Sequence, residues 1–210
     1  MSHRCGCTDA QLALYQNIRW SDKHFTWALG AAARSFGPLS PELVAQACAA
    51  WARVCGATFA EADEDSAEIV ILVGRGRRAG FDDPRVLAWC EVGPQRDQAG
   101  RPRATQLMVN TAIDWDQINL GTVLKHELGH GLCFKHEPED SDSIMAPAIN
   151  RNINDPRPVD VQHAQQRYGE PAPKPLTPDP TTPGTKQRIR SSCKTADGRL
   201  WVGDLYEVTS

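Results

Sequence analysis

His126-Glu127-Leu128-Gly129-His130-Gly131-Leu132-Cys133-Phe134-Lys135-His136 decides how the rest of this chain is read. It holds three histidines and a glutamate at spacings that suit one transition-metal ion. Residues four apart on an α-helix share a face, about 6 Å apart along the axis. His126 and His130 therefore reach the same ion. Glu127 follows the first ligand directly, so it leans over the site without binding. A helix continued to His136 would carry that ring too far along the axis and off the face. The chain must leave the helix after His130 and turn back.

The chemistry follows from the donor set. Three neutral nitrogens leave a fourth tetrahedral position open, and open zinc positions hold water. Zinc lowers the pKa of that water to about 7 and polarises a neighbouring carbonyl. Glu127 is the candidate general base, taking the water proton and passing it to a leaving amine. That is amide hydrolysis without a protein nucleophile. H-E-x-x-H alone also arises in purely structural helices. A third histidine at this distance favours the metal.

The 210 residues suit one ordinary domain with tails, and 40% are hydrophobic, enough for a core. The net charge of −3 implies no general affinity for nucleic acid or anionic lipid. The basic run Gly74-Arg75-Gly76-Arg77-Arg78 reads as a solvated loop. No apolar stretch is long enough for a membrane span. No apolar segment follows a basic one at the N-terminus, so no secretory leader is expected. The destination of the protein is left open. Seven cysteines is an odd number. Cys48 and Cys55 fall on one predicted helix about 10 Å apart, too far for a disulfide. Reduced thiols are the simpler expectation.

His24 to Leu29 alternates as a strand, with Phe25, Trp27 and Leu29 on one face. Ser40-Pro41-Glu42 opens a helix whose face is Leu43, Val44, Ala47, Trp51 and Val54, ended by Gly56. Ile69 to Val73 is an apolar run suited to a strand buried on both faces. Strands are expected at about Arg85 to Cys90 and Gln106 to Asn110, with a loop over 91–103 between them. The motif helix is expected from about Asp116 to Leu132, and a last helix from Val159 to Tyr168, stopped by Gly169. Residues 170–187 are a proline-rich linker. Residues 188–210 are a short tail, with a hairpin signal at Asp197-Gly198.

The three-histidine pattern resembles that of the metzincin zinc peptidases, H-E-x-x-H-x-x-G-x-x-H followed by a methionine turn. Ser143-Ile144-Met145-Ala146-Pro147 is similar to that turn, whose methionine forms an apolar floor beneath the metal. Cys133 replaces the family glycine. A residue with a Cβ enters the left-handed region at a cost of about 1–2 kcal/mol. The thiol of Cys133 is also a candidate extra ligand.

Within the metzincins the chain resembles the matrixins over about residues 3–169. Arg19 to Trp27 is similar to their first-strand entry, Ala49 to Val54 to their first helix, Phe81-Asp82-Asp83 to a loop, and Tyr168-Gly169 to the end of their last helix. The resemblance implies an α/β fold, of the α+β metzincin kind. It has a twisted mixed five-stranded sheet, three helices and a catalytic domain over 10–169. It implies that Leu87 and Ala88 lie on the sheet edge that pairs with an extended peptide. Pro147 and its neighbours would line the pocket beyond the scissile bond. Leu87 as plain core is the alternative.

His3-Arg4-Cys5-Gly6-Cys7-Thr8-Asp9 is similar to the matrixin latency segment P-R-C-G-x-P-D, although both prolines are missing. The resemblance makes residues 1–9 an inhibitory segment and Cys5 the fourth zinc ligand in the latent form. Arg4 and Asp9 would fix the segment by ion pairing. Where matrixins hold a structural zinc, this chain has Arg78, Trp89 and Met108, and Asn110 replaces a carboxylate. One catalytic zinc ion is therefore expected and structural zinc is not, with calcium left open. Trp89 is expected to fill part of the vacated space. The function expected is a zinc endopeptidase, monomeric, acting on extended protein or peptide substrates. A non-catalytic, zinc-stabilised peptide-binding module is the alternative.

Overall fold

The apolar runs form the sheet. In the computed structural model, Ile69–Gly74 is the middle strand β3. It lies between β1 (His24–Leu29) and β7 (Thr105–Asn110). Two further strands lie outside these, β2 (Thr58–Glu61) and β4 (Ala88–Cys90), giving the order β2-β1-β3-β7-β4. All pairs are parallel except β4 with β7, where Ala88 faces Val109 and Cys90 faces Leu107. This is the expected α/β fold with a mixed five-stranded sheet. Residues 3–8, 12, 19–138, 141–150, 152–173, 189–194 and 200–205 are described.

One face of the sheet carries the main core. Phe25, Trp27 and Leu29 of β1 point there with Ile69, Ile71 and Leu107. The other face holds a smaller cluster of Ala28, Ala67 and Val70. The expectation of burial on both faces of β3 thus holds only for its first half, since Leu72 to Gly74 are half-buried.

Four α-helices occur among the described residues, one more than expected. The addition is a single turn, α1 (Ala31–Arg34), directly after β1. Helix α2 (Pro41–Ala52) starts where the sequence places it: the Ser40 hydroxyl accepts from the Leu43 N–H at 3.2 Å. Val44, Ala47, Cys48 and Trp51 are buried on its inner face. Trp51 is fully buried, and its indole N–H donates to the Lys125 carbonyl at 2.8 Å. That bond ties α2 to the motif helix α3 (Leu120–Gly131).

Helix α3 begins four residues later than Asp116. The Asp114 carboxylate accepts from the Asp116 N–H, and Asp114 also closes a turn to Gln117, so these residues form turn structure instead. Asn119 is the actual cap, accepting from Thr122 N–H at 3.2 Å. The last helix, α4 (Pro158–Tyr168), ends before Gly169 at φ 79°.

Two other expectations need correction, and one strand was not anticipated. The strand expected from Arg85 is regular only over Ala88–Cys90. Its start is held in a turn by Asp83, which accepts from the Arg85 N–H through its side chain and the Val86 N–H through its carbonyl. The loop 91–103 contains a short antiparallel ribbon, β5 (Gln95–Arg96) with β6 (Pro102–Arg103), turning on Asp97 and on Gly100 at φ 76°. Strand β2 gave no clear period, because only Phe59 of its four residues is drawn in against the core.

The chain forms two compact units, Met1–Ala172 and Pro173–Ser210. In the second, β8 (Ile189–Lys194) pairs antiparallel with β9 (Leu200–Leu205). These strands flank Asp197-Gly198, whose turn lies outside the described residues. Among the described residues, no helix is long and apolar enough to cross a membrane.

Replacing Trp51 by Ala removes a large buried side chain and orphans the Lys125 carbonyl. The unfolding free energy should fall by about 3–5 kcal/mol. Urea denaturation followed by far-ultraviolet circular dichroism measures this.

Candidate metal centre

Helix α3 presents His126 and His130 one turn apart, both fully buried. Their Nε2 atoms lie 3.1 Å from one another, and His136 Nε2 lies 3.2 Å from that of His130. Each helical ring is aimed by its other nitrogen. His126 Nδ1 donates to the Ile144 carbonyl at 2.7 Å, and His130 Nδ1 donates to the Phe134 carbonyl at 2.9 Å. Those bonds fix the tautomers, so both Nε2 atoms carry lone pairs that face each other. Burial lowers the pKa of His126 to about 4, and burial with the two neighbouring rings pushes His130 well down. Both rings stay neutral, as metal ligands must be.

The return of the chain after the helix has a local cause. Phe134 N–H donates to the Gly129 carbonyl and Cys133 N–H to that of His130, both at 2.8 Å. That double closure is a Schellman ending with Cys133 in its left-handed position at φ 67°. It also presents the Phe134 carbonyl to His130. Cys133 therefore does the turning expected of the family glycine. Its thiol lies with Leu12 and Val92 in an apolar cluster, raised by burial to about 11. It is absent from the groups of converging donors among the described residues. The extra-ligand alternative is not supported.

Met145 is buried against the motif helix. A Cβ at Gly129 would strike its Sδ and the Trp51 ring, so the glycine inside the motif makes the methionine turn fit. Asp160 of α4 clamps the same turn. It accepts from the Ser143 hydroxyl at 2.5 Å, the Ile144 N–H at 2.9 Å and the Arg157 N–H at 2.8 Å. Ile144 in turn holds His126. The sequence reading passed over Asp160, although an acid at the third position of a helix is a capping signal. It also missed Trp20 and Tyr168, which donate to the Gly131 and Leu132 carbonyls at 2.8 and 2.7 Å. These two satisfy carbonyls at the buried C-terminal end of α3.

Glu127 is fully buried, and neither carboxylate oxygen has a hydrogen-bond partner. Burial raises its pKa well above the usual carboxylate range, with Cys7 adding to the rise and the nearby Cys5 thiol opposing it. A second buried thiol, Cys5, reaches the same place. Its Sγ is 3.5 Å from His130 Nε2, and it forms one group of converging donors with His126, His130 and His136.

This donor set fits a tetrahedral zinc ion. Two nitrogens at zinc-bond length from one ion stand roughly 3.3 Å apart, and a nitrogen and a sulfur roughly 3.6 Å. The observed nitrogen separations of 3.1 and 3.2 Å and the sulfur separation of 3.5 Å are close to those values. Three imidazole lone pairs converging in a dry interior are a donor set that a cation would satisfy.

The segment bearing Cys5 lies in a groove between two walls. Against the β4 side, Leu87 N–H donates to the Arg4 carbonyl at 3.1 Å, and Gly6 N–H donates to the Ala88 carbonyl at 2.8 Å. On the other side Cys5 N–H donates to the Pro147 carbonyl at 3.1 Å. Arg4 bridges in parallel to Val86 and antiparallel to Ala148. Leu87, Ala88 and Pro147 thus all meet an extended peptide through their main chains. The Leu87 side chain is core at the same time. Arg4 pairs with Asp83 at 2.8 Å. Asp9, its expected companion in fixing the segment, lies outside the described residues. Elsewhere, the Trp89 indole donates to the Ala79 carbonyl at 2.9 Å and covers Gly80, while Met108 Sδ lies over Gly74. Asn110 donates to the Val86 carbonyl at 2.9 Å.

The family comparison agrees with this geometry. The matrixin family profile matches residues 19–169. The chain belongs to the matrixin family, a family of metalloendopeptidases that act on peptides. It is 29% identical over 193 residues to interstitial collagenase A of Mus musculus, covering 85% of this chain and 40% of that protein. It is 28% identical over 193 residues to interstitial collagenase B of the same organism, covering 82% of this chain and 38% of that protein. The chain therefore spans about two fifths of these curated relatives.

The two roles considered for Cys133 make opposite predictions. Cys133→Gly keeps the left-handed turn and should leave zinc affinity within about threefold of wild type. Cys133→Val puts a branched Cβ at positive φ and should weaken zinc by about 10–100-fold through misplaced His130 and His136. Competition with a chromophoric chelator measures both.

Proposed function

We propose that this chain is a zinc-dependent endopeptidase held latent by its own N-terminal thiol. The observation that carries this is the convergence of His126, His130 and His136 beside a buried, unpaired Glu127. His126, His130 and His136 would hold the ion. Zinc bound there supplies an activated water and a polarised substrate carbonyl. Glu127 accepts the proton of the attacking water at a carboxylate oxygen and returns it to the leaving nitrogen. Its dry setting keeps bulk water from competing for that proton. A structural metal site has no use for such a carboxylate, which argues against the binding-module alternative.

Substrate lies extended in the groove that the N-terminal segment now fills. The main-chain groups of Leu87, Ala88 and Pro147 hold it with little regard for its side chains. In the resting chain Cys5 would hold the remaining metal position, where a thiolate would leave no place for the catalytic water. The Arg4–Asp83 pair is partly open to solvent on the Arg4 side and adds little to holding the segment. The main-chain bonds do most of that.

Two substitutions test this. Cys5→Ala should raise the rate of the purified full-length chain on an internally quenched peptide about tenfold or more, because a tethered ligand competes at millimolar effective concentration. Glu127→Gln in that background should cut kcat/KM about 10²–10⁴-fold while the zinc content stays the same. Retained activity with Gln at 127 would contradict the assigned base. Equal rates with and without the Cys5 thiol would contradict latency.

A further inference from the structure

Cys7 has no part in the reading just given. Three imidazoles and Cys5 already fill a tetrahedral site. Yet Cys7 is held against Cys5. The chain bends at Gly6, and Cys7 N–H donates to Cys5 Sγ at 3.2 Å. The sulfurs of Cys5 and Cys7 belong to a group whose ligand atoms, with those of Glu127 and His130, all lie within 4.8 Å of one another. Gly6 makes this approach fit. A Cβ there would come within 2.8 Å of Val86 Cγ1 and 3.0 Å of Trp89 Cβ.

The two thiols differ in access. Cys5 is only 5% exposed. Cys7 is half-buried and lines a hollow of about 370 Å³ with Leu12, Trp89, Glu91 and Val92. Cys90 lines the same hollow but is only 3% exposed, so Cys7 is the more open of its two thiols to a small oxidant. The Cys7 Sγ–H donates to the Cys90 carbonyl at 3.2 Å, a bond to main chain and not to the Cys90 sulfur.

We propose that Cys7 is an oxidation site whose product, a Cys5–Cys7 disulfide, withdraws the inhibitory thiolate from the metal centre. This rests on the latency reading above. With a hydroperoxide as oxidant, Cys7 sulfur attacks one peroxide oxygen. An S–O bond forms as the O–O bond breaks, giving a sulfenic acid and water or an alcohol. Cys5 sulfur then attacks the Cys7 sulfur. The S–S bond forms as the S–O bond breaks, and hydroxide leaves and is protonated to water. The Cys7 thiol and the Cys5 thiolate together lose two electrons and one proton, the peroxide takes up the electrons, and solvent supplies the second proton that turns the departing hydroxide into water. A disulfide sulfur carries no charge and is a poor zinc donor, so the fourth position opens. A disulfide closed across one glycine is strained and easily reduced, which makes the change reversible by small thiols.

Cobalt substitution reports the thiolate directly through its sulfur-to-metal charge-transfer band. The cobalt-loaded full chain is treated with one equivalent of hydrogen peroxide, alongside Cys7→Ser. In wild type the band should vanish at least about tenfold faster than in Cys7→Ser, as expected for a tethered second thiol. The denatured thiol count should fall by two from seven, and peptide mapping should join Cys5 to Cys7. Dithiothreitol should restore the band. Equal rates in the two chains, a bond mapped from Cys7 to Cys90 or Cys133, or a Cys5–Cys7 bond with the band intact would each overturn the inference while leaving latency standing. A missing band in the untreated chain overturns the latency reading and this inference with it.

Discussion

Three imidazole lone pairs aimed at one point inside a dry protein repel one another, and they do so beside a buried carboxylate with no partner. A cation at that point would turn the repulsion into attraction. Much of the surrounding structure keeps the three rings on target. Helix α3 supplies two of them. The Schellman ending at Cys133 presents the Phe134 carbonyl to His130 and sends the chain back toward His136. Asp160 clamps the turn whose Ile144 carbonyl aims His126. Trp51 ties the motif helix to α2 inside the core. The sheet is the platform on which these pieces are assembled.

The constraint also explains the strain at Cys133. A φ of 67° costs about 1–2 kcal/mol for a residue with a Cβ. Two hydrogen bonds close that turn, and the same loop provides both a ring acceptor and the third imidazole. The cost is local and the return is geometric. Glycine would be the easier residue, but the thiol finds an apolar cluster to fill, which offsets part of the penalty.

How much of this was legible follows from where the information lies. The three histidines, Glu127 and the Ser40 cap are local patterns, with spacings that helix geometry translates directly into positions. The sheet's apolar runs were equally plain. Strand β2 was not, because a short edge strand with one buried residue leaves no period. The start of α3 was misplaced because Asp116 resembles a cap, whereas Asp114 draws it into a turn. Asp160 was passed over because its partners, Ser143 and Ile144, are distant in sequence and only the fold brings them together. The groove walls at Leu87, Ala88 and Pro147 were reached by resemblance, since main-chain pairing leaves little mark on side-chain identity. Cys7 was read only as one letter of a motif, and its approach to Cys5 depends on a bend at Gly6.

X-ray absorption at the zinc edge of the full-length, reduced chain tests the central claim most directly. The account predicts a first shell of three nitrogens at about 2.0–2.1 Å and one sulfur at about 2.3 Å. Fewer than three imidazoles in that shell, or a fourth ligand that is oxygen in the untreated chain, would contradict it.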